Sequence, residues 1–406
     1  MLSLTQMFGV TGSDVERDLV AETDCIDAIV EKVLLLQSKA AAQQHRPLGR
    51  GTHEKGTSVR AQFEVYDVRA QHGPRLAARL GRGIFSTPGV YPARVRFANA
   101  DPKVNSDFKA DVRSLSFSVD LTRDVTSLPG VKVGRQDFSL QNTTALPIND
   151  APAFLAIMNL LTASNPAASL WSLPFKDKLR VLRTLALAQM QAHQKIRPYQ
   201  QLCYGSNVPF RHGPIDVVKY QAKPLPKNPA RALRRSNPNA LQDELLRHLN
   251  EDESMSSFDF ALQFLDADQM TYWGKRQEAS FWTENASVEW KKSEAPFHTV
   301  ARLRLLPKSQ LPQGLADAMF FDVTGNATPD SAPLGGVNRA RPILSNWWRS
   351  MARLKPRERD LLWLAYAQGS SHKEIAETLG LKAASIKLLL FRARRRLAGL
   401  LREGGR

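Results

Sequence analysis

The stretch Val59-Arg-Ala-Gln-Phe-Glu-Val65 alternates apolar and polar side chains, which is the two-residue period of a half-buried β-strand. Ala93-Arg-Val-Arg-Phe97 and Ser114-Leu-Ser-Phe-Ser-Val119 show the same alternation, and Gly and Pro turns separate the three stretches. Further along the chain, Phe258–Phe264 and Thr299–Leu306 also alternate. The sequence therefore predicts an antiparallel sheet to which distant parts of the chain contribute.

Helical periodicity occurs between these strands without alternating regularly with them. Asp24–Ala41, Ala151–Thr162, Phe175–Ala192 and Leu241–Leu249 place apolar residues at helical spacing. Segregated strands and helices without a βαβ rhythm favour an α+β domain over a doubly wound one. At roughly 100–200 residues per domain, a chain of 406 residues has room for two or three domains.

The composition is that of an ordinary globular protein, with 43% hydrophobic and 23% charged residues. No apolar run reaches about 18 residues, and Met1–Val10 lacks the basic start and apolar core of a secretion signal. Cys25 and Cys203 are too few and too far apart for a disulfide framework or a cysteine-rich metal site. We expect a cytoplasmic protein without a membrane partner.

Positive charge is concentrated near the C-terminus. The chain has 56 Lys and Arg against 39 Asp and Glu, a formal net charge of +17. Residues 351–406 hold 13 of the basic and 5 of the acidic residues. A basic segment of this kind is either a solvated surface or a nucleic-acid contact. Its regular pattern favours the second interpretation.

The basic segment is patterned as three helices. Pro356 suits the first position of one helix, and Ser370 or Ser371 suits the N-cap of the next. Gly380 suits a left-handed stop, after which a third helix begins near Ala383. Two helices joined by a glycine-containing turn form the unit that lays its second helix in the major groove. We therefore predict an all-α, three-helix helix-turn-helix domain with DNA as its partner.

The predicted third helix has an apolar side and a basic side. Its apolar stripe consists of Ile386, Leu390, Ala393 and Leu397. Its opposite face carries Lys387, Arg392, Arg394, Arg395 and Arg396. A helical bundle that caps the larger domain, with arginines that are only solvated, is the competing interpretation.

The stretch from Lys373-Glu-Ile-Ala-Glu to Ala-Ser-Ile-Lys387, followed by Phe391-Arg-Ala-Arg-Arg-Arg-Leu397, resembles region 4 of extracytoplasmic-function sigma factors. It is similar, less closely, to response-regulator output domains. The resemblance implies base contacts by Lys382, Ser385 and Lys387 and phosphate contacts by Arg392 and Arg395. RNA polymerase is a further candidate partner. A complete sigma factor also needs the region that binds the promoter's upstream melting element and the polymerase clamp, and residues 1–350 contain nothing similar to it.

The larger part of the chain resembles a second family. Arg50-Gly-Thr-His-Glu-Lys-Gly56, Val95-Arg-Phe97, Asp111-Val-Arg113 and Gln136-Asp-Phe138 with Asn142 follow one another as in haem-dependent catalases, especially their short, clade-less branch. Further matches are Tyr204-Gly-Ser206, Pro209-Phe-Arg211, Val218-Lys-Tyr220, Glu284–Trp290 and Pro333–Arg339. The resemblance spans about residues 20–350 and implies a catalase-type antiparallel β-barrel with surrounding helices. We divide the chain into domains at 1–350 and 351–406.

The catalase resemblance also implies catalytic and haem-binding residues. His53 matches the distal histidine that moves a proton as the peroxide O–O bond breaks, and Asn142 matches the asparagine that orients peroxide. Taken alone, a histidine in such a loop is more often structural. The arginines that the resemblance assigns to the haem are Arg50, Arg96, Arg113 and Arg341.

The expected axial ligand departs from the family pattern. Catalases carry Arg-x-x-x-Tyr, whose phenolate binds the iron, whereas Arg341-Pro-Ile-Leu-Ser345 places Ser345 at that position. A serine hydroxyl is far less acidic than a phenol, so it cannot supply the same ligand. Haem is therefore a candidate cofactor that Ser345 counts against. His53 is an alternative iron ligand, but it could then not act as the distal base.

Three functions stay open at this point. The chain is a peroxide-removing haem enzyme with an incidental tail, or a transcriptional regulator, or a fusion in which neither function survives. In the regulator, a non-catalytic catalase-like domain senses peroxide, haem or an apolar ligand, and the tail binds DNA. The sequence has no phosphate-binding loop of the P-loop type and no His-x-x-x-His or Cys-x-x-Cys pair.

Overall fold

The computed structural model describes residues 25, 28–29, 31–33, 35–36, 52–121, 134–226, 228, 230–251, 256–339, 353–362, 364–365 and 370–404. The strands are β1 (Gly56–Val65), β2 (Gly89–Asn99), β3 (Arg113–Asp120), β4 (Arg135–Gln141), β5 (Tyr204–Gly205), β6 (Phe210–His212), β7 (Asp216–Pro224), β8 (Ser257–Phe264), β9 (Thr271–Tyr272), β10 (Lys275–Arg276) and β11 (Phe297–Gln310). The helices are α1 (Val68–Gln71), α2 (Pro74–Leu80), α3 (Ala151–Thr162), α4 (Pro166–Ser172), α5 (Phe175–Ala192), α6 (Ala240–Glu251), α7 (Ala279–Glu284), α8 (Gln313–Ala318), α9 (Gly336–Arg339), α10 (Pro356–Leu362), α11 (His372–Leu379) and α12 (Ala383–Gly404).

Eight antiparallel strands close into a barrel. Their order is β5-β4-β3-β2-β1-β11-β8-β7, and β5 pairs with β7 to complete the ring. At this seam Gly205 pairs with Gln141 on one side and Gln221 on the other. A Cβ on Gly205 would lie 2.9 Å from the Thr143 carbonyl oxygen, so the close approach at the seam requires glycine. The barrel confirms the predicted α+β class.

Aromatic side chains fill the barrel interior. Phe63, Phe117, Phe138 and Phe260 are buried, and their ring centroids lie 4.7–6.1 Å apart in tilted, stacked and edge-on pairs. Such pairs stabilise the fold beyond the burial of their area. Because the interior is packed with side chains, a ligand site has to lie at a barrel end or outside the wall.

Most predicted elements have the predicted bounds. The helices predicted over Ala151–Thr162 and Phe175–Ala192 are α3 and α5 without change, and the shorter predictions fall within α6, β8 and β11. The described residues between 25 and 36 are helical, as predicted for that segment. α3 begins where it does because the Asp150 side chain accepts the Ala153 N–H at 2.9 Å. Among the residues described, no helix is both long enough and apolar enough to cross a membrane.

The C-terminal helices have an apolar core of their own, formed by buried residues between Leu354 and Ala393. α10 begins at Pro356 and α12 begins at Ala383, as predicted. The last of the three predicted helices, α12, is long and runs for 22 residues. No proline interrupts it, and its apolar stripe continues along its length. The proposed boundary between residues 350 and 351 lies outside the described residues.

Candidate functional site

α11, the helix that precedes the turn to α12, is fixed at both of its ends. The Glu374 N–H donates to the Ser371 hydroxyl at 3.3 Å, and the Ser371 N–H donates to the Glu374 carboxylate at 2.7 Å, forming a capping box. The hydrogen bond from the Ser371 N–H, assisted by the hydroxyl contact, lowers the pKa of Glu374. α11 ends at Gly380, whose φ of 62° is left-handed. Of the two serines predicted as caps, Ser371 is the one that caps α11, and the predicted stop at Gly380 is confirmed.

α12 packs against the two preceding helices through one stripe. Ile386, Leu390 and Ala393 are buried. Their apolar cluster also contains Leu354, Leu361, Leu362, Leu364, Ile375 and Ala376. An ion pair between Arg396 and Glu358, at 3.3 Å, joins α12 to α10. This packing turns the other side of α12 toward solvent, as the second helix of a helix-turn-helix requires.

The five residues predicted to contact DNA follow the turn and the outward side of α12. Lys382, Lys387, Arg392 and Arg395 are exposed, whereas Ser385 is half-buried. The Ser385 N–H donates to the Lys382 carbonyl at 2.9 Å, which closes the first turn at the start of α12. The structure therefore brings the predicted cations to one exposed surface. Their contacts with DNA stay a prediction.

Four of the residues predicted for a haem site fall in the part of the chain that the structure describes, and they lie at one end of the barrel. His53 precedes β1, Arg96 lies in β2, Arg113 begins β3 and Asn142 follows β4. The His53 N–H donates to the Ala100 carbonyl at 3.1 Å, and the Asn142 N–H donates to the Arg113 carbonyl at 2.9 Å. The structure thus places His53 and Asn142 at the same barrel end, with β2 and β3 between the strands that carry them.

His53 adopts a conformation that residues other than glycine rarely take. Its φ is 59°, in the left-handed region. Besides the Ala100 hydrogen bond, its carbonyl accepts the Arg96 guanidinium at 2.8 Å, and its ring Nδ1 lies 3.0 Å from Thr52 Oγ1. These contacts hold the strained backbone in place. His53 is half-buried at the mouth of the barrel.

Arg96 and Arg113 are engaged with the protein itself. Each is only 4% exposed. The Arg96 guanidinium donates to the carbonyls of His53 and Glu54 at 2.8 and 3.0 Å. The Arg113 guanidinium donates to the Asp107 carbonyl at 2.6 Å and lies 3.3 Å from the Asp111 carboxylate. Both arginines therefore brace the loops at this barrel end.

Asn142 uses both ends of its side-chain amide. Its Oδ1 accepts the Arg113 N–H at 2.6 Å, and its Nδ2 donates to Gln194 Oε1 at 3.3 Å. The first contact extends the pairing of β3 with β4 by one step beyond Gln141. The amide that would orient peroxide in a catalase therefore continues the sheet in this chain.

These contacts test whether the chain fits the haem of a catalase. Arg50, Arg341 and Ser345 lie outside the described residues, but the serine is a fact of the sequence. Arg96 and Arg113, which would pair with haem carboxylates, already pair with backbone carbonyls and Asp111. With a serine in place of the phenol and with these internal contacts, the residues do not fit a phenolate-ligated haem.

A cavity of about 740 Å³ lies against the barrel wall beside Asn142. The cationic residues in its lining are Lys195, Arg197, Lys219, Lys223 and Lys292. Glu289 is the one carboxylate among the described residues that line it. A cavity of this volume suits a small organic molecule, and the excess of cations suits an anion. His53 is not among its lining residues.

Lys219 is the buried cation of this cavity, with 3% of its surface exposed. Its Nζ donates to the Val288 carbonyl at 3.2 Å and lies 4.7 Å from the centroid of the Trp290 ring. Burial lowers the pKa of Lys219 from 10.5 to about 7, although Glu289 opposes the change. Burial therefore favours the neutral form of this lysine more than solvent does.

Sequence reasoning did not assign a role to this cavity. Lys219 was noted only within the Val218-Lys-Tyr220 match. A lone lysine between apolar residues in the strand Val217–Tyr220 is a signal of burial, but the other lining residues come from distant parts of the chain. Leu388 and Phe391 on the outside of α12 were also given no role. The signal for them is the four-residue apolar run from Leu388 to Phe391, which exceeds what one stripe can bury.

Comparison with known proteins agrees with the two parts of the structure. Residues 345–397 match the family model described as Sigma-70, region 4. The chain superposes on a fungal catalase with a TM-score of 0.54 and 16% identity, covering 76% of this chain and 59% of that one. For catalase A from Saccharomyces cerevisiae the TM-score is 0.52 and the identity 16%, covering 81% and 63%. No curated protein sequence matches the chain.

The chain therefore combines a domain of catalase-like fold with a C-terminal segment that matches Sigma-70 region 4. It spans about three fifths of the length of the two catalases. At 16% identity the likeness to them concerns the fold alone.

Proposed function

We propose that the chain is a DNA-binding protein that inserts α12 into the major groove and whose barrel domain does not work as a catalase. One observation carries the proposal. α12 is anchored through Ile386 and Leu390, while Lys387, Arg392 and Arg395 are exposed on its other side. A rigidly held helix with an exposed basic face is the arrangement that helix-turn-helix proteins use on DNA.

Charge supplies the affinity in this proposal. Each cation that neutralises a phosphate releases condensed counterions from the duplex, so binding weakens steeply as salt is added. Arg392 and Arg395 lie near the middle of the helix, where phosphates flank the groove, and Lys382 and Lys387 lie toward its start. The match to Sigma-70 region 4 supports this role, and it makes RNA polymerase a second candidate partner. DNA binding also agrees with the cytoplasmic localisation that the sequence predicts.

The test is equilibrium binding of the full chain to a fluorescent duplex of about 25 base pairs, followed by anisotropy. Replacing Lys387, Arg392 and Arg395 by alanine is expected to weaken binding by about tenfold or more at 0.1 M salt, because two predicted phosphate contacts and one base-contacting cation are lost. The control replaces three exposed cations of the barrel domain, Arg75, Arg94 and Lys275, by alanine. Equal affinity of the two variants would refute the proposal.

The cavity beside Asn142 favours a second role for the barrel domain. Five cationic residues and one carboxylate line it, so it would take a small anionic molecule rather than an apolar one. In this role the barrel domain is the sensing part of a regulator, with Lys219 as the buried charge that the ligand would pair with. An anion bound beside Lys219 would favour the charged form of this lysine and would therefore raise its pKa again.

Thermal unfolding tests the anion site. Citrate and pyrophosphate are expected to raise the melting temperature of the full chain, since a ligand that binds the folded state alone stabilises it, whereas neutral xylitol is not. The rise is expected to shrink in Lys219→Gln and to persist in Lys103→Gln, whose lysine lies outside the cavity lining. Equal rises in both variants would place the anions elsewhere on the basic surface.

A further inference from the structure

The outward side of α12 carries apolar side chains where a purely phosphate-binding helix would carry cations. At about 100° per residue, Ala384, Leu388, Phe391 and Arg395 fall on one line along the helix, opposite the buried Ile386. We name these four residues the outer ridge. Leu388 is 52% exposed and Phe391 is 55% exposed. Large apolar side chains on this line do not contribute to the core of the domain.

Cations flank the outer ridge. Lys387 lies on one side of it and Arg392 on the other, and both are exposed. A surface with an apolar centre and positive margins complements a groove that has an apolar floor between two rows of phosphates. The major groove of DNA has these features wherever thymine methyl groups line its floor. An apolar protein surface would match the ridge but not its charged margins.

Few residues at the start of α12 can read bases by hydrogen bonds. Residues 383–391, the part of α12 that enters the groove in a helix-turn-helix, include no Arg, Asn, Gln, Asp or Glu. The bidentate amide contacts that identify adenine and the carboxylate contacts that identify cytosine are therefore missing. Ser385 and Lys387 are the hydrogen-bond donors in this stretch. The remaining exposed groups are apolar.

The dimensions allow the contact. From Ala384 to Phe391 the helix rises by about 10 Å, which fits a major groove about 12 Å wide. We propose that Leu388 and Phe391 contact thymine C5-methyl groups, so that the DNA preferred by this chain carries A·T pairs beneath the outer ridge. This inference rests on the proposed DNA binding and adds the base chemistry that the helix selects.

Four duplexes of equal length and charge test the inference on the full chain. They are alternating dA/dT, the same duplex with deoxyuridine for thymidine, alternating dG/dC, and the same duplex with 5-methylcytosine. Deoxyuridine removes only the methyl group, and 5-methylcytosine adds one at the same place in the groove. We expect the uridine duplex to bind about fourfold more weakly for each methyl that the ridge buries, and the methylated dG/dC duplex to bind more tightly than its parent.

Two variants test whether the preference for the thymidine duplex comes from contact with its methyl groups. Leu388→Ala combined with Phe391→Ala is expected to bind the thymidine and uridine duplexes equally, with its phosphate contacts intact. Leu179→Ala, which removes an exposed leucine from α5, is expected to keep the wild-type preference. Equal binding of the thymidine and uridine duplexes by the wild type would overturn the inference while leaving DNA binding in place. The same preference in the double variant would also overturn it. If no duplex binds, the proposed function fails and the inference fails with it.

Discussion

Ser371 and Glu374 hold each other across the first turn of α11, each accepting the backbone N–H of the other, at 3.3 and 2.7 Å. The pair begins α11, whose other end at Gly380 leads into the turn before α12. Two backbone donors that would otherwise have no partner in the helix are satisfied in this way. The start of α11 therefore depends on a local contact between two residues three positions apart.

Removing the cap is expected to loosen the helix-turn-helix. Ser371→Ala deletes the hydroxyl acceptor and should cost about 1 kcal/mol of helix stability. Hydrogen exchange of the α11 amides in the full chain measures this loss as faster exchange at Ile375 and Ala376. Ser370→Ala is the matched control, because the Ser370 contact to the Leu364 carbonyl is made by the backbone N–H. Equal exchange in the two variants would show that the cap has no role.

Gly380 is expected to tolerate asparagine better than alanine. Its φ of 62° is left-handed, and a Cβ at this position would have no atom within 4 Å, so the cost of a side chain is conformational rather than steric. Gly380→Ala should lose about 1 kcal/mol, and Gly380→Asn less, because asparagine adopts this conformation more readily. Urea unfolding followed by helical circular dichroism measures the difference. Equal losses would mean that the turn relaxes out of the left-handed conformation.

Local features of this chain could be predicted from its sequence, whereas long-range ones could not. Ser371, Gly380 and Ala383 follow from neighbouring residues alone, since caps and stops depend on a few consecutive positions. The barrel seam depends on Gly205 in a two-residue strand, and its pairing with Gln221 leaves no periodicity to detect. The spacing of apolar residues predicts that a segment is a strand, but it does not predict which strands lie beside it.

The long-range contacts of the candidate haem site could not be predicted from the sequence either. The sequence placed His53, Arg96, Arg113 and Asn142 in the order of a catalase, and the fold brings them to one barrel end. It could not show that Arg96 binds backbone carbonyls across 42 and 43 positions of sequence, or that Asn142 extends a strand pair. Hydrogen-bond partners far apart in sequence are set by the packed structure, so a matched residue type does not establish a matched role.

Burial of Lys219 is expected to make stability depend on pH. Its pKa is lowered to about 7 in the folded protein against 10.5 in the ordinary state, so between these values the unfolded chain binds more protons. Stability therefore rises with pH over this range, and the cost of burying the charge is fully present below pH 7. Urea unfolding of the wild type and Lys219→Met from pH 6 to pH 9 measures it. The advantage of the methionine variant should shrink as pH rises, and a constant difference would contradict the lowered pKa.

We expect the chain to have no specific binding site for added haemin. Titrating the full chain with haemin should give no saturable 1:1 change in the Soret absorbance and no peroxide removal above that of free haemin, because Ser345 supplies no phenolate. Ser345→Tyr should behave in the same way, since Arg96 and Arg113 stay engaged with the protein. Stoichiometric haem binding by Ser345→Tyr would show that the pocket is competent and that the barrel domain is a catalase that lost one ligand.

The salt dependence of DNA binding tests the central claim most directly. For the full chain, a plot of log K against log salt concentration should have a negative slope that grows by about 0.9 for each phosphate contact. The variant that replaces Lys387, Arg392 and Arg395 should have a slope shallower by about 2, because Arg392 and Arg395 are the predicted phosphate contacts, and the Arg75, Arg94 and Lys275 variant should keep the slope of the wild type. A slope that is unchanged by the loss of the three α12 cations would contradict the assignment of α12 as the DNA-binding surface.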